Sequence, residues 1–205
     1  MNVSSQITMI AWILLIIINL ILPSKAIVKT KTPLTASVGL KWSLTIVSIP
    51  VMIGLLMLAG PSLTYSDPLT ISSNIAFTMS IFPIFCGLAC INAIIDNFTH
   101  ICSSMSYTSK QCTIDDMMRN ILVIKAEYNM VCESLSCYFF YGIVLLSINF
   151  TMDTYSTVDN ILKVEIIYIF AMLLLSFGDL CLLHIISSLA DKLTNNYYSS
   201  INMIR

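Results

Sequence analysis

The stretch TIDDMMRNILVIKAEYNMVCESLSCYFFYGIVLLSINF, Thr113 to Phe150, contains no Pro and a single Gly, Gly142. Thr113 followed three residues later by Asp116 is the pattern of a helix N-cap, and Asp115 and Asp116 put negative charge at the positive end of the helix dipole. Apolar residues then recur at Met117, Ile121, Ile124, Tyr128, Val131 and Leu135 in alternating steps of four and three, a heptad seam. A helix from Ile114 to Asn149 is about 54 Å long, well beyond the ~30 Å hydrocarbon thickness of a bilayer. The helix is therefore expected to start outside the membrane, with 114 to 134 projecting, and to cross it from Leu135 to Asn149.

The rest of the chain fits that environment. Of 205 residues 57% are apolar and only 10% charged, against about 25% charged in a soluble domain. The mean hydropathy is +0.87. With ten basic and eleven acidic residues and a net charge of -1, there is no clustered basic footprint for nucleic acid. Six Gly and six Pro are too few for a disordered chain. Besides Leu135 to Asn149, four stretches are long and apolar enough to cross a membrane: about Ile7 to Leu22, Leu40 to Ala59, Ile71 to Ile95, and Leu162 to Ile186. The expected fold is all-α, one polytopic membrane bundle of about five helices spanning 1–205. Pro23, Pro33, Pro61 and Pro68 fall where helix breakers belong, while Pro50 and Pro83 should kink the spans that contain them.

Basic residues set the orientation. Lys25, Lys29, Lys31 and Lys41 lie in the first loop, Lys110, Arg119 and Lys125 in the third, and Lys192 and Arg205 in the tail, so nine of ten fall on one side. The expectation is a multi-pass plasma-membrane protein with its N-terminus outside and its C-terminus cytoplasmic. A competing reading takes Ile7 to Leu22 as a signal peptide cleaved after Ser24-Lys25-Ala26. Cleavage would leave the Lys-rich loop outside and reverse every count, and no basic residue precedes Ile7.

The last helix repeats the long pattern. Leu183, Ile186, Ala190, Leu193 and Tyr197, with Leu189 beside them, form a second apolar stripe. Ser187, Ser188, Asp191, Lys192, Asn195 and Asn196 read as a water-exposed face. The cytoplasmic extensions, 114–134 and 187–205, should bury their stripes against each other or against another subunit. Met117, Ile121, Ile124, Tyr128, Val131, Leu135, Leu189 and Leu193 are the assembly candidates, and both a cap within one chain and an oligomeric bundle satisfy them.

Site chemistry is sparse. Seven Cys show no CxxC pair and all fall in spans or on the reducing side, so no disulfide is expected; Cys86 and Cys90 read as small buried packing residues. His100 and His184 are isolated, and no metal, cofactor or catalytic motif is expected, nor an enzyme. Asp179 lies inside a span, where an ionisable group marks either a ligand or gating role or a buried hydrogen bond to a neighbouring helix.

Taken together, Ile121 to Phe150, with its small-and-aromatic stretch and Tyr155 just beyond, resembles the fifth span of insect gustatory receptors, and Leu162 to Arg205 is similar to their sixth. The resemblance makes Ile7 to Leu22, Leu40 to Ala59 and Ile71 to His100 the second to fourth spans. It implies a chemoreceptor of the ligand-gated cation-channel family, acting in taste perception as a homo- or hetero-oligomer with related subunits in membrane lipid. The family's first span and its pore-lining seventh, with the Thr-Tyr and Gln-Phe pairs, have no counterpart here, which implies a partial chain without its own pore. A small tastant would then bind among the outer span ends, where depth singles out Tyr65, Asn74, Asn149 and Tyr155, with Asp179 a further candidate as the ionisable group within a span. Interfacial anchoring for the Tyr residues and helix-to-helix hydrogen bonding for the Asn residues explain the same positions. A small structural or accessory membrane protein assembling through its cytoplasmic helices is the alternative; a transporter would need two inverted halves, which are not visible.

Overall fold

The computed structural model describes residues 3–30, 48–49, 51–54, 57, 81–108, 113–162 and 166–204, and almost all of them are helical. Four long helices carry the architecture: α1 (Val3–Thr30), α2 (Ile81–Thr108), α3 (Ile114–Leu162) and α4 (Ile166–Ile204). All four are long and apolar enough to cross a membrane. Helical residues 48–49 and 51–54 fall inside the expected second span.

α3 starts where its sequence says it should. The Thr113 hydroxyl donates to Asp116 Oδ2 at 2.7 Å, the Thr113 amide donates to the same oxygen at 3.3 Å, and the Asp116 amide donates back to Thr113 Oγ1 at 3.4 Å. That is a reciprocal capping box with Asp in the acidic position. Its end corrects the expectation, because the helix runs past Asn149 to Leu162, 49 residues in all, about 74 Å. Tyr155 therefore lies within it. No Pro or Gly interrupts 143–162, and Thr151, Thr154 and Thr157 donate to the carbonyls four residues earlier, so these polar residues ride on the helix instead of stopping it.

α1 corrects a second expectation. Pro23 lies inside the helix, not beyond it. An interior Pro removes the hydrogen bond to the carbonyl four residues back and costs about 3 kcal/mol. Pro23 is buried on the stripe of Ala11, Leu15 and Ala26, so side-chain burial holds the helix through the break. Pro83 sits in the first described turn of α2, where its missing N–H leaves no helical acceptor unpaired.

α3 packs against α4 and α1, and α2 packs against all three, so α1 and α4 occupy opposite corners of a four-helix bundle. Named contacts give the directions. Tyr138 meets Asn19 and Glu133 meets Lys29, so α1 and α3 are antiparallel. Tyr128 stacks on Tyr197 and Gly142 faces Ile186, so α3 and α4 are antiparallel. Asp96 meets Lys192 and Thr99 meets Asn196, so α2 and α4 are parallel. α1, α2 and α4 thus run one way and α3 the other. Since α1 and α2 are parallel, the chain has to return from one end of the bundle to the other between them. Residues 51–54 run in that returning direction: a Cβ on Gly178 would strike Val51, and one on Gly54 would sit 3.1 Å from the Ala171 carbonyl, antiparallel to α4.

The core is a set of heptad stripes. On α2 it is Ile84, Leu88, Ile91, Ile95, Phe98 and Cys102. On α3 it runs from Ile124 through Val131, Leu135 and Tyr138 to Leu145, with Met117, Ile121 and Tyr128 half-buried against it. On α4 it is Leu175, Leu182, Ile186, Leu189, Leu193 and Ile204, flanked by Leu183 and Tyr197. The expected assembly residues therefore all pack within one chain. Cys86 is exposed, against the expectation of burial, because it lies off the α2 stripe.

Candidate functional site

Lys192 and Asn196, expected on a water-facing surface, instead tie α4 to α2. Lys192 Nζ donates to Asp96 Oδ1 at 2.6 Å, the Asn92 amide donates to Asp96 Oδ2 at 2.7 Å, and the Asn196 amide donates to Thr99 Oγ1 at 2.6 Å. Ser187, Ser188, Asp191 and Asn195 are exposed as expected. The difference arises because α2 runs parallel to α4 and covers one flank of it. Next to this cluster the Tyr128 and Tyr197 rings stack with centroids 4.1 Å apart, and Phe98 approaches Tyr128 at 6.1 Å. Every polar atom named here has a partner, which is the signature of a structural joint.

A second junction is equally well satisfied. The Tyr138 hydroxyl donates to Asn19 Oδ1 at 2.8 Å while the Asn19 amide donates to the Leu15 carbonyl at 2.8 Å. Gly87 lies so close that an added Cβ would sit 2.9 Å from the Asn19 carbonyl oxygen, the carbonyl that Pro23 deprives of its helical donor.

The α3–α4 seam differs. Gly142 is level with Ile186, and seven residues further along each antiparallel helix Asn149 comes level with Asp179. One turn beyond lie Asp153 on α3 and Ser176 on α4. Asp153 and Asp179 are close enough for their charges to interact. All four residues are buried, Asn149 at 0% exposure and Asp179 at 2%. Asn149 Nδ2 and Oδ1, Asp153 Oδ2, Ser176 Oγ and Asp179 Oδ2 have no hydrogen-bond partner. Each unpartnered buried polar group costs about 1–3 kcal/mol, and folded proteins carry few of them. Val51, itself buried, lies against Gly178 and closes the same level from a third side.

Of the residues expected to bind a ligand, Asn149 and Asp179 thus lie buried at one level of the α3–α4 seam. Tyr155 is 59% exposed and off the seam, and Tyr65 and Asn74 lie outside the described residues. Sequence reading missed Asp153 and Ser176. Asp153 was findable, because Asp153 and Thr157 follow Asn149 at helical steps of four once the helix is carried past Asn149. Ser176 gave no signal: a Ser in an apolar helix is ordinary until its hydroxyl is seen unpaired. His100 and His184 are exposed. Among the described residues no three His, Cys, Asp or Glu side chains gather as a metal-holding group; the seam carries two carboxylates, one amide and one hydroxyl.

Fold and seam together define a class: an all-helical protein with several long apolar helices and a buried polar layer inside them. Compared with protein-family models, curated proteins and solved structures, the chain matches none.

Proposed function

We propose that the chain is a multi-pass membrane protein of the chemoreceptor type, built on the plan of a gustatory receptor, with a small molecule bound among the outer halves of its helices. The observation that carries this reading is the buried unpartnered seam at Asn149, Asp153, Ser176 and Asp179. A protein that only scaffolds has no reason to keep such groups, whereas a receptor needs polar atoms free to meet a ligand.

The helix register supports the membrane placement. α3 has no Asp, Glu, Lys or Arg between Glu133 and Asp153, and α4 has only Asp179 between Ile166 and Ala190. Paired in register, α3 from about 137 to 158 faces α4 from about 191 to 170, a band about 31 Å tall, one hydrocarbon layer. Leu135 to Asn149 and Leu162 to Ile186 are out of level with each other, so the register shifts the fourth span outward and the fifth inward. Below the band lies the charged layer of Lys29, Glu133, Asp96 and Lys192, on the side to which the loop count in the sequence assigns nine of the ten basic residues. That side is cytoplasmic in this reading, and the seam lies in the outer half of the plasma membrane.

The test is thermal unfolding of the purified full-length chain in detergent against a panel of sugars, amino acids and alkaloids. A saturable, compound-specific rise in midpoint that Asn149→Leu abolishes supports the reading. No response across the panel moves the protein to the accessory class, which the packing of both extensions within a single chain favours.

A further inference from the structure

We infer that the α3–α4 seam binds one divalent, oxygen-seeking metal cation of the calcium type, held by Asp153, Asp179, Asn149 and Ser176. The inference goes beyond the chemoreceptor reading and does not depend on it.

Four observations carry it. The buried side chains that the helix register brings to this stretch of the seam are all hard oxygen donors, two carboxylates, an amide carbonyl and a hydroxyl, with no sulfur or imidazole among them; such sets select Ca²⁺, Mg²⁺ or Mn²⁺ over softer metals. The donor atoms are unspent, since Asn149 Oδ1, Asp153 Oδ2, Ser176 Oγ and Asp179 Oδ2 are buried and accept from nothing in the protein. Asn149 is fully buried with both amide atoms unpaired, on the seam position one turn before Asp153 and level with Asp179, so it adds a neutral donor at the level of the acidic pair. Two carboxylates that interact through their charges in an apolar surrounding repel, and no Lys or Arg side chain is bonded to either among the described residues. A doubly charged ion balances them where a singly charged one leaves a net charge buried.

The donor set decides between a metal and an organic cation: all four side chains offer unspent oxygen acceptors, which a bare ion gathers in one coordination shell, and the groove lined by Ile143, Val144, Ser147, Ile148, Thr151 and Met152 lies on a different face of α3. Calcium is favoured over magnesium because four donors on two rigid helices give irregular geometry, which Ca²⁺ accepts and Mg²⁺ resists. Water completes the coordination.

The experiment is equilibrium binding of radioactive calcium to the full chain in detergent, with thermal unfolding in calcium and in chelator as a second readout. The expected result is one calcium per chain and a higher unfolding midpoint in calcium than in chelator. Asp153→Asn and Asp179→Asn should each weaken binding at least tenfold, and Asn149→Leu should weaken it less. Asp115→Asn and Asp191→Asn, on exposed carboxylates, should leave it unchanged, and magnesium at equal concentration should bind at least tenfold more weakly. Should a seam variant fail to fold, the parent chain still decides, through its stoichiometry and its midpoint difference. No stoichiometric binding at millimolar calcium, equal midpoints in calcium and chelator, or binding that survives both Asp→Asn changes overturns the inference and leaves the two carboxylates protonated or hydrated. A tastant response without a calcium response would spare the receptor reading and reject only the metal.

Discussion

Among the described residues the Tyr138 hydroxyl is the hydrogen-bond donor to Asn19 Oδ1, and both residues are buried at the contact of α1 with α3. Tyr138→Phe keeps the ring and removes the donor, leaving a buried amide oxygen unpaired. The expected loss is about 1–3 kcal/mol, seen as a lower unfolding midpoint of the full chain in detergent. An unchanged midpoint would mean that water replaces the hydroxyl. Gly87 acts through space instead of through a bond. Its missing Cβ lets α2 lie against the Asn19 backbone, where an added carbon would stand 2.9 Å from the carbonyl oxygen. Backbone cannot step aside as a side-chain tip can, so Gly87→Ala should force α1 and α2 apart at a cost of about 1–3 kcal/mol. Crosslinking between a cysteine introduced at exposed Leu20 and the native, exposed Cys86 would report the separation as a slower rate.

Among the elements, α3 shows best what the sequence discloses and what it conceals. Its N-cap, its seam from Met117 to Leu135 and its excess over a membrane's thickness were all legible, because capping and heptad spacing are local. Its far end was not: Asn149, Thr151, Asp153 and Thr154 look like the close of a helix, and only burial against α4 keeps them helical. Lys192 and Asn196 were misread for the converse reason, since no local pattern tells a solvated flank from one covered by a distant parallel helix. Replacing Ile121 and Ile124 by Asp puts two charges in the stripe shared with α4. Ile124 is fully buried within the chain, so the loss is several kcal/mol as a rough figure and should loosen the cap even in a monomer. Limited proteolysis should then cut within 114–134 while membrane insertion persists; resistance equal to the parent's would place that stripe outside the core. The first turn also responds to acid. The Thr113 hydroxyl, and then its amide, hold the Asp116 carboxyl below the usual carboxylate range. The capping contribution is therefore complete above the unfolded-chain value and fades as pH falls through the lowered one. Amide exchange at 114–118 should speed up, relative to an unstructured reference, only on that acid side.

For the molecule as a whole, three helices running one way and one the other, with residues 51–54 returning between them, give the alternation that a five-span chain requires. An epitope after residue 204 should be reached by antibody only in permeabilised cells, and one before Ile7 in intact cells; staining of the first on intact cells would reverse the proposed orientation. The uninterrupted length of α3 has a mechanical meaning. It touches α1 at Tyr138, near the middle, with the Asn149–Asp153 layer on one arm and the capped tip at Ile114 on the other. A stiff rod that pivots near its centre behaves as a beam on a fulcrum. From Tyr138 to Ile114 is about 36 Å of helix, so tilting the Asn149–Asp153 arm by about 5° against its packing on α4 would swing the Ile114 tip by about 3 Å.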